Sequence, residues 1–579
     1  MKKPQTSKMI CAAKLLLIHL FLLPSLVAHA QYTFTTNNDG SLNIAQYTGP
    51  GGAVVIPNTT NGLPITRIGD ASFFENTNLT SVTVGTNVAN IADQAFSYSS
   101  ITNVTLPASV TNIAFDAFHN CNRLTAINVA TNNPDFSGAA GVLFNQNQTT
   151  LITFPEGKAG SYAVPDSVTD IGGYAFFDST NLTSVAISTN VSTIENYAFL
   201  DCPGLRAITV NTNNLSYSSM AGVLFDKNQD TLIQYPAGNT ASFYVMPNSV
   251  TNIGMEAFYS SLNLISVTLG TNVSVIGGAA FEYCPALASI AFPDSVTVIS
   301  GDAFAECRGL TNITIGTGVT NIMYQAFLGC PSVTATTVAA GNPAFSSVDG
   351  VLFNKNQTAL YLYPAASGGT FYAVPDTVTN IVGDAFVEAY NLTSVTLDSN
   401  LQSIGDDAFE NCFFLTSITI PNSVTNMGFF VFWQCVSLTN VVIGSGVTNI
   451  GYQVFAYCYN LQGVYFTSNA PEMNPDTFDG DGIATAYYLP GMTGWGATFD
   501  GLPTALWLPQ LVDSGVRTNQ FSFQVNWASG ETAVVEGCTN LSQPVWSPLQ
   551  TNTLSNNSWQ FSDAQWMKYP NRFYRAISP

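Results

Sequence analysis

The chain has 579 residues, with 15 Lys and Arg against 36 Asp and Glu, a formal charge of −21 and only 9% charged residues. Such a balance repels phosphate backbones and argues against a nucleic-acid partner, whose binding rests on Lys and Arg neutralising phosphates. The length is large for one globular core, whereas a one-dimensional array of stacked units has no such limit.

Met1-Lys2-Lys3 gives a basic start, Leu15 to Val27 an apolar run, and Ala28-His29-Ala30 a small-residue pattern before Gln31. Residues 1–30 therefore read as a signal peptide cleaved after Ala30, which predicts a secreted or cell-surface protein. The run is shorter than the ~20 apolar residues that cross a bilayer, and no later run approaches that length, so no membrane span is expected. Residues 31–64 carry Tyr32-Thr-Phe-Thr-Thr, Asn37-Asn-Asp-Gly40 and Val54-Val-Ile-Pro57. They read as a hairpin cap, because a terminal coil exposes sheet edges that need protection.

Residues 65–480 repeat. Phe258, Phe281, Phe304 and Phe327 stand 23 residues apart, as do Phe386, Phe409, Phe432 and Phe455, with Phe478 one step further. The same surroundings return each time, clearest in Val250-Thr-Asn-Ile253, Ala257-Phe258, Leu264, Val267 and Leu269. A period of this length marks a solenoid, since one unit has too little apolar surface to fold alone. Leu79 to Val84 returns as Leu182 to Ile187, Leu392 to Leu397 and Leu415 to Ile420, with apolar positions alternating with Thr and Ser. That is the strand pattern of a leucine-rich repeat, one short strand per coil in a parallel sheet. Val-Thr-Asn-Ile reads as a second short extended stretch, and Ala-Phe as a tight helical turn that drives the ring inward. The expected fold is mainly β with short helical turns: a solenoid of about 23-residue coils.

Three longer units interrupt this array, with inserts at about 128–171, 209–253 and 337–381. They share Gly141-Val-Leu-Phe144, Gly222-Val-Leu-Phe225 and Gly350-Val-Leu-Phe353, each running through a polar turn to Pro155, Pro236 or Pro364. Apolar strand, polar turn, apolar strand predicts a β-hairpin. Residues 481–508 leave the period and should cap the far end. From 509 to 579 the composition shifts, with Trp527, Trp546, Trp559 and Trp566 crowded together and alternating runs at Phe521 to Trp527 and Thr532 to Glu536. A small C-terminal β-sandwich is expected there.

The repeat Val-Thr-x-Ile-Gly-x-x-Ala-Phe-x-x-Cys-x-x-Leu-Thr-x-Ile/Val-x-Leu/Ile-Pro resembles the BspA-like leucine-rich repeat family of bacterial secreted and surface proteins. The Gly-Val-Leu-Phe-Asn-x-Asn-Gln insert is similar to a unit of that family. The resemblance covers roughly Ile65 to Leu508 and implies a solenoid fold and a role in adhesion or interaction. It brings no enzymatic residues, and fold alone does not fix function.

Cys121, Cys202, Cys284, Cys307, Cys330, Cys412, Cys435 and Cys458 all lie three residues after the repeat Phe. Cα atoms one coil apart could permit disulfides. However, the Cys284/Cys307/Cys330 and Cys412/Cys435/Cys458 triplets would leave members over, and Ser99, Ser179, Ser261 and Ala389 hold the same register. A ladder of free, buried thiols is therefore the reading. His119 is the one histidine beyond the leader and follows a repeat Phe, where a solvated loop residue is expected. Multi-histidine metal sites are excluded, and no zinc-type cysteine spacing or phosphate loop appears.

Carboxylate chemistry could use Asp384 and Asp407, one coil apart in one register, or Glu256 and Asp302. The register also holds Gln325, Gln453, Phe430 and Ala279, which fits an exposed outer face. Asp476, Asp479, Asp481 and Gly482 lack the distal Glu of a calcium loop and read as a capping turn. The chain is thus expected to be non-enzymatic, with no catalytic residue, cofactor or metal, and to bind extracellular protein or polysaccharide. A carbohydrate-active protein whose C-terminal module binds sugar is the alternative. Candidate ligand-binding residues are the aromatics late in the array: Phe413, Phe414, Phe430, Trp433, Tyr452, Tyr457 and Tyr459. Rings of this kind anchor protein interfaces and sugars alike. They could equally pack on neighbouring coils.

Overall fold

The computed structural model describes residues 31–474 and 476–579; the expected signal peptide lies outside the described residues. The chain divides into two compact units, Met1–Thr240 with Met255–Leu262 and Ala241–Gly254 with Asn263–Pro579.

In the first unit Tyr32–Thr36 pairs antiparallel with Leu42–Tyr47, which then pairs parallel with Leu63–Ile68. Asn90–Ile91 and Asn112–Ile113 continue that parallel ladder. A second parallel ladder runs through Gly52–Val55, Leu79–Thr83, Asn103–Leu106 and Ala126–Val129. A typical coil thus contributes one strand of three to six residues and one of two, as the Leu-x-x-Val-x-Val and Thr-Asn-Ile segments predict. In Leu79–Thr83 the Leu and Val are buried and the first and last Thr exposed, so alternation decides which face is core.

The inserts are three-stranded. Phe136–Ala139, Val142–Asn145 and Thr150–Thr153 pair antiparallel in turn, and Thr150–Thr153 joins the parallel ladder at Asp170–Ile171. Phe345–Val348, Val351–Asn354 and Ala359–Leu362 repeat this in the second unit, joining at Asn380–Ile381. One asparagine anchors each insert. Asn342 Nδ2 donates to the Gly316 and Val319 carbonyls at 2.7 and 2.9 Å, while its Oδ1 accepts from Ala344 N and Phe345 N. Asn133 and Asn214 do the same for the other two inserts.

The second unit carries the long parallel sheet from Phe371–Ala373 through Ser394–Thr396, Ser417–Ile420, Asn440–Ile443, Gly463–Phe466 and Thr485–Tyr488 to Leu502–Leu506. Two three-stranded antiparallel sheets follow: Gln510–Arg517, Gln520–Asn526 and Ser558–Asp563, and Ser547–Thr553, Thr532–Cys538 and Phe573–Ile577. Phe523, Val525, Trp527, Val535 and Phe561 share one core with Leu489 at the end of the array. The C-terminal segment is therefore a β-sandwich seated on the last coils, and Trp527 Nε1 donates to Trp507 O at 2.9 Å.

The repeat phenylalanines form the spine. Phe386, Phe409, Phe432, Phe455 and Phe478 stack with centroids 4.6–5.4 Å apart and interplanar angles of 15° or less. The Ala-Phe segment itself is not helical; among the described residues the only helix is a 3-10 turn at Trp566–Lys568. Asp384 and Glu388, two residues either side of Phe386, take left-handed φ of 62° and 58°. Alternate N–H groups consequently leave the turn. Ala385, Val387 and Ala389 donate three residues back, while Asp384, Phe386 and Glu388 donate to Asp406, Ala408 and Glu410 of the next coil at 2.8–3.0 Å. A continuous right-handed helix would satisfy its bonds internally and leave none for its neighbour. The turns thus make a third hydrogen-bonded ladder beside the two of strands.

The cysteine register has a partner as well. Cys412, Cys435 and Cys458 Sγ donate to the carbonyl of the Phe one coil back, Phe386, Phe409 and Phe432, at 3.1–3.2 Å. Cys121, Cys202, Cys307 and Cys330 make the same contact and, like these three, are free thiols. Burial pushes the thiols of Cys121, Cys330 and Cys412 up to about 12. The expected thiol ladder is present, and it has a donor role that small size alone does not supply.

Candidate functional site

The inserts change the turn face. Phe154 and Tyr363 replace the repeat Phe in the ring stack, against Phe176 and Phe386 at 5.3 and 5.1 Å. Their N–H groups still reach the next coil, to Ala175 O and Ala385 O at 2.7 Å. A proline follows at once, Pro155 or Pro364, and the insert lacks the longer turn that follows the Ala-Phe pair of a regular coil. Successive turns there stand two windings apart, roughly 10 Å at the ~4.8 Å spacing of paired strands. Each described cleft on this face opens at such an interruption.

In the first unit the cleft holds about 60 Å³ and is lined by Phe115, His119, Glu156, Tyr174 and Phe177 among others. His119 lies 4.6 Å from the Phe177 ring and 5.5 Å from Phe115. It is half-buried and not the solvated loop residue its position suggested, because the open space before Tyr174 lets rings from two turns close on it. Burial lowers its pKa. Glu156 is 5% exposed; its Oε1 accepts from Asn120 N at 2.8 Å and its Oε2 has no partner. Burial, and then the Asp178 carboxylate, push it up to about 9.

In the second unit the cleft holds about 230 Å³ between Tyr324, Gln325, Tyr361, Leu362 and Asp384. Asp384 is 8% exposed with neither carboxylate oxygen partnered, and burial followed by repulsion from Asp407 and Glu410 pushes it up to about 8. The outer-face expectation for this register fails at Asp384. The residue sits beside the insert, where Tyr324 leans over it, and Tyr324 Oη donates to Asp407 Oδ2 at 3.0 Å. A Cβ on Gly383 would lie 2.8 Å from the Tyr324 ring, so glycine there permits that approach. Asp407 remains half-buried, its pKa raised first by burial. The sequence put Asp384 and Asp407 in one register but gave no sign of Tyr324, Tyr361 or Glu156; the only signal was the place of the inserts within the period.

The aromatic candidates fall into small groups. Phe430 meets Tyr452 edge-on at 5.5 Å, and Trp433 meets Tyr457, which touches Tyr459. Phe413 stacks on Tyr390 at 5.2 Å. Phe414, Tyr452 and Tyr459 are exposed, while Phe413, Phe430, Trp433 and Tyr457 are half-buried between turns. The strand face is less available than its composition suggests: Thr416 and Thr439 bond the carbonyls of Thr393 and Thr416 one coil back. In the sandwich Trp527 is buried and Trp546, Trp559 and Trp566 are half-buried, Trp546 lying under the Arg575 guanidinium at 4.5 Å.

Among the described residues no group of three or more His, Cys, Asp or Glu converges as a metal cage, and no helix is long and apolar enough to cross a membrane. No curated protein gives a significant match to the chain. Solved structures similar to it include a leucine-rich repeat protein from Eubacterium ventriosum (22% identical, covering 69% of this chain and 91% of that one, TM-score 0.41). Others are a leucine-rich cell surface protein from Faecalibacterium prausnitzii (22%, 82% and 92%, 0.35) and the pneumococcal vaccine antigen PcpA (20%, 62% and 91%, 0.39). Residues 53–159, 152–229, 237–357 and 369–484 match the model of the BspA type leucine rich repeat region, in 6 copies. With its period, its ring stack and this match over most of its length, the chain belongs to the BspA type leucine rich repeat family.

Proposed function

We propose that this is a non-enzymatic secreted or cell-surface protein whose array mediates adhesion to an extracellular protein or polysaccharide. The observation that carries the reading is the fate of the repeated residues. The Phe, Cys, Leu and Val of each coil are consumed by stacking, so what faces outward is the recurrent Thr and Ser of the strands and the turn positions that differ from coil to coil. Among the latter, Phe414, Tyr452 and Tyr459 present rings on turns held by the third ladder, a rigid platform of the kind interface anchors use. The family is one of repeat proteins in which binding is the usual role, and the Lys-rich leader of residues 1–30 supports export. The test is adsorption of the purified chain to immobilised matrix proteins and a polysaccharide panel. A Phe414→Ala/Tyr452→Ala/Tyr459→Ala variant should lose at least about tenfold in affinity, since anchors carry most interface energy. Absence of adsorption to every surface would overturn the reading.

One observation favours the alternative, a carbohydrate-active protein. Asp384 is held protonated near neutral pH in a cleft beside Asp407, as a general acid beside a carboxylate would be. Release of reducing ends from a polysaccharide, abolished by Asp384→Asn, would establish it.

A further inference from the structure

We propose that the cleft between the turns of Phe327 and Phe386 is a receptor for one organic cation, the guanidinium or ammonium group of an arginine or lysine side chain. The built feature is Asp384. Its carboxylate is more than nine-tenths buried, neither oxygen has a hydrogen-bond partner, and it lines the cleft. A buried carboxylate without donors is costly unless something polar or positive meets it. Every charged group that faces it from the packed elements is acidic, and Gln325 and the Tyr324 hydroxyl are its neutral polar neighbours. Asp302, Asp406, Asp407 and Glu410 all lie within electrostatic reach. Arg308 is engaged by Glu306 at 2.6 Å.

The walls fit a charged head on an alkyl stem. Tyr324 and Tyr361 line the cleft with rings of the type that attract guanidinium and ammonium groups, and Met323, Leu352 and Leu362 supply apolar surface for the methylenes. A divalent metal would need several converging donors, and no such group is present among the described residues. The same construction recurs in the first unit, where Glu156 Oε2 is buried and unpartnered behind Phe115, Tyr174 and Phe177. Its carboxylate comes from the insert and not from the turn, so the recurrence is of the cleft and its chemistry, not of one copied residue. Raised proton affinity at both acids is what a missing counter-charge produces.

The inference goes beyond adhesion, because the cleft would take its cation whether or not the array adheres to anything. It is tested on the full chain in a Glu156→Gln background, so that the smaller cleft is silent. N-acetyl-arginine amide, N-acetyl-lysine amide and the uncharged isostere N-acetyl-citrulline amide are titrated and followed by calorimetry and by the ligand-induced rise in Tm. At least one cation should bind, Asp384→Asn should weaken it by about tenfold or more, and citrulline should not bind. Asparagine tolerates the left-handed φ at this position, so the variant keeps the fold. Citrulline binding as tightly as arginine, an Asp384→Asn affinity equal to that of the parent, or no binding of either cation would each overturn the proposal. So would a neutral oligosaccharide that binds here with the same dependence on Asp384.

Discussion

The Phe carbonyl one coil back accounts for much of where cysteine appears, although Ser99 and Asp481 also follow regular coils. Cys121, Cys202, Cys307, Cys330, Cys412, Cys435 and Cys458 each donate to the Phe carbonyl of a regular preceding coil. The coils that follow an insert hold Ser179, Ser261 and Ala389 instead, and the insert brings no such turn. Ser179 Oγ and Ser261 Oγ are buried without partners. Removing a thiol that has a partner and fills space costs both terms, so Cys435→Ala should lower stability by about 1–2 kcal/mol. Ser179→Ala deletes an unsatisfied hydroxyl and should be neutral or stabilising by up to about 1 kcal/mol. Urea unfolding of the two variants checks the contrast; equal losses would leave the register as one that merely wants a small side chain. The thiols should also resist alkylation in the native protein, because burial holds them protonated, and become reactive only as urea opens the coils.

At the scale of elements, what the sequence revealed is what recurs. The Leu-x-x-Val-x-Val strand, the Thr-Asn-Ile strand and the stacked Phe were all legible because period and alternation are properties of the pattern itself. The turns were misread as helical because Asp384, Glu388 and their counterparts are unremarkable residues; nothing in Asp, Glu, Gln or Tyr announces a left-handed φ as glycine would. The clefts were illegible for a related reason. They arise where a turn is missing, and absence leaves no residue to read. Nor does Asn342 stand out in a chain rich in asparagine, although it satisfies four partners at the root of its insert. Asn342→Asp keeps the shape, loses both donated bonds and sets a charge against two carbonyls. It should therefore cost about 3 kcal/mol or more, with hydrogen exchange speeding first in Phe345–Val348 and Val351–Asn354. Asn354→Asp offers the comparison: its Nδ2 bonds only the Thr358 hydroxyl, so the loss should be about 1 kcal/mol. Equal effects would mean that the insert is not rooted at Asn342.

Across the whole molecule the carboxylates outnumber the basic groups by more than two to one. Asp563 in the sandwich is paired with Arg572 at 2.7 Å, but Glu156, Asp384 and Asp481 in the array are buried with carboxylate oxygens that no donor meets. Burial raises Glu156 to about 9, Asp384 and Asp481 to about 8, and Glu410 and Glu282 to about 7. In the unfolded chain each returns to the ordinary carboxylate value near ~4. Between those limits the folded state binds more protons than the unfolded one, so stability falls as pH rises. The protonated-state contribution is whole below about pH 4, declines through the window from about pH 4 to 9, and is gone above it. Repulsion among the ionised surface acids adds to the decline. Asp39 and Asp294 are shifted the other way by hydrogen bonds to Ser41 and Thr317, but both are fully exposed and set only the acid limb. The melting temperature should therefore peak near pH 4–5 and drop steadily to pH 9, against the usual preference for neutrality. A Glu156→Gln/Asp384→Asn/Asp481→Asn variant should show a shallower slope and exceed the parent at pH 8, because it removes three groups that must either stay protonated or ionise without a counter-charge. A parent profile that is flat or rising from pH 5 to 8, or a triple variant less stable than the parent at pH 8, would mean that these acids are hydrated or paired in solution, and the clefts would lose the feature that distinguishes them from plain surface grooves.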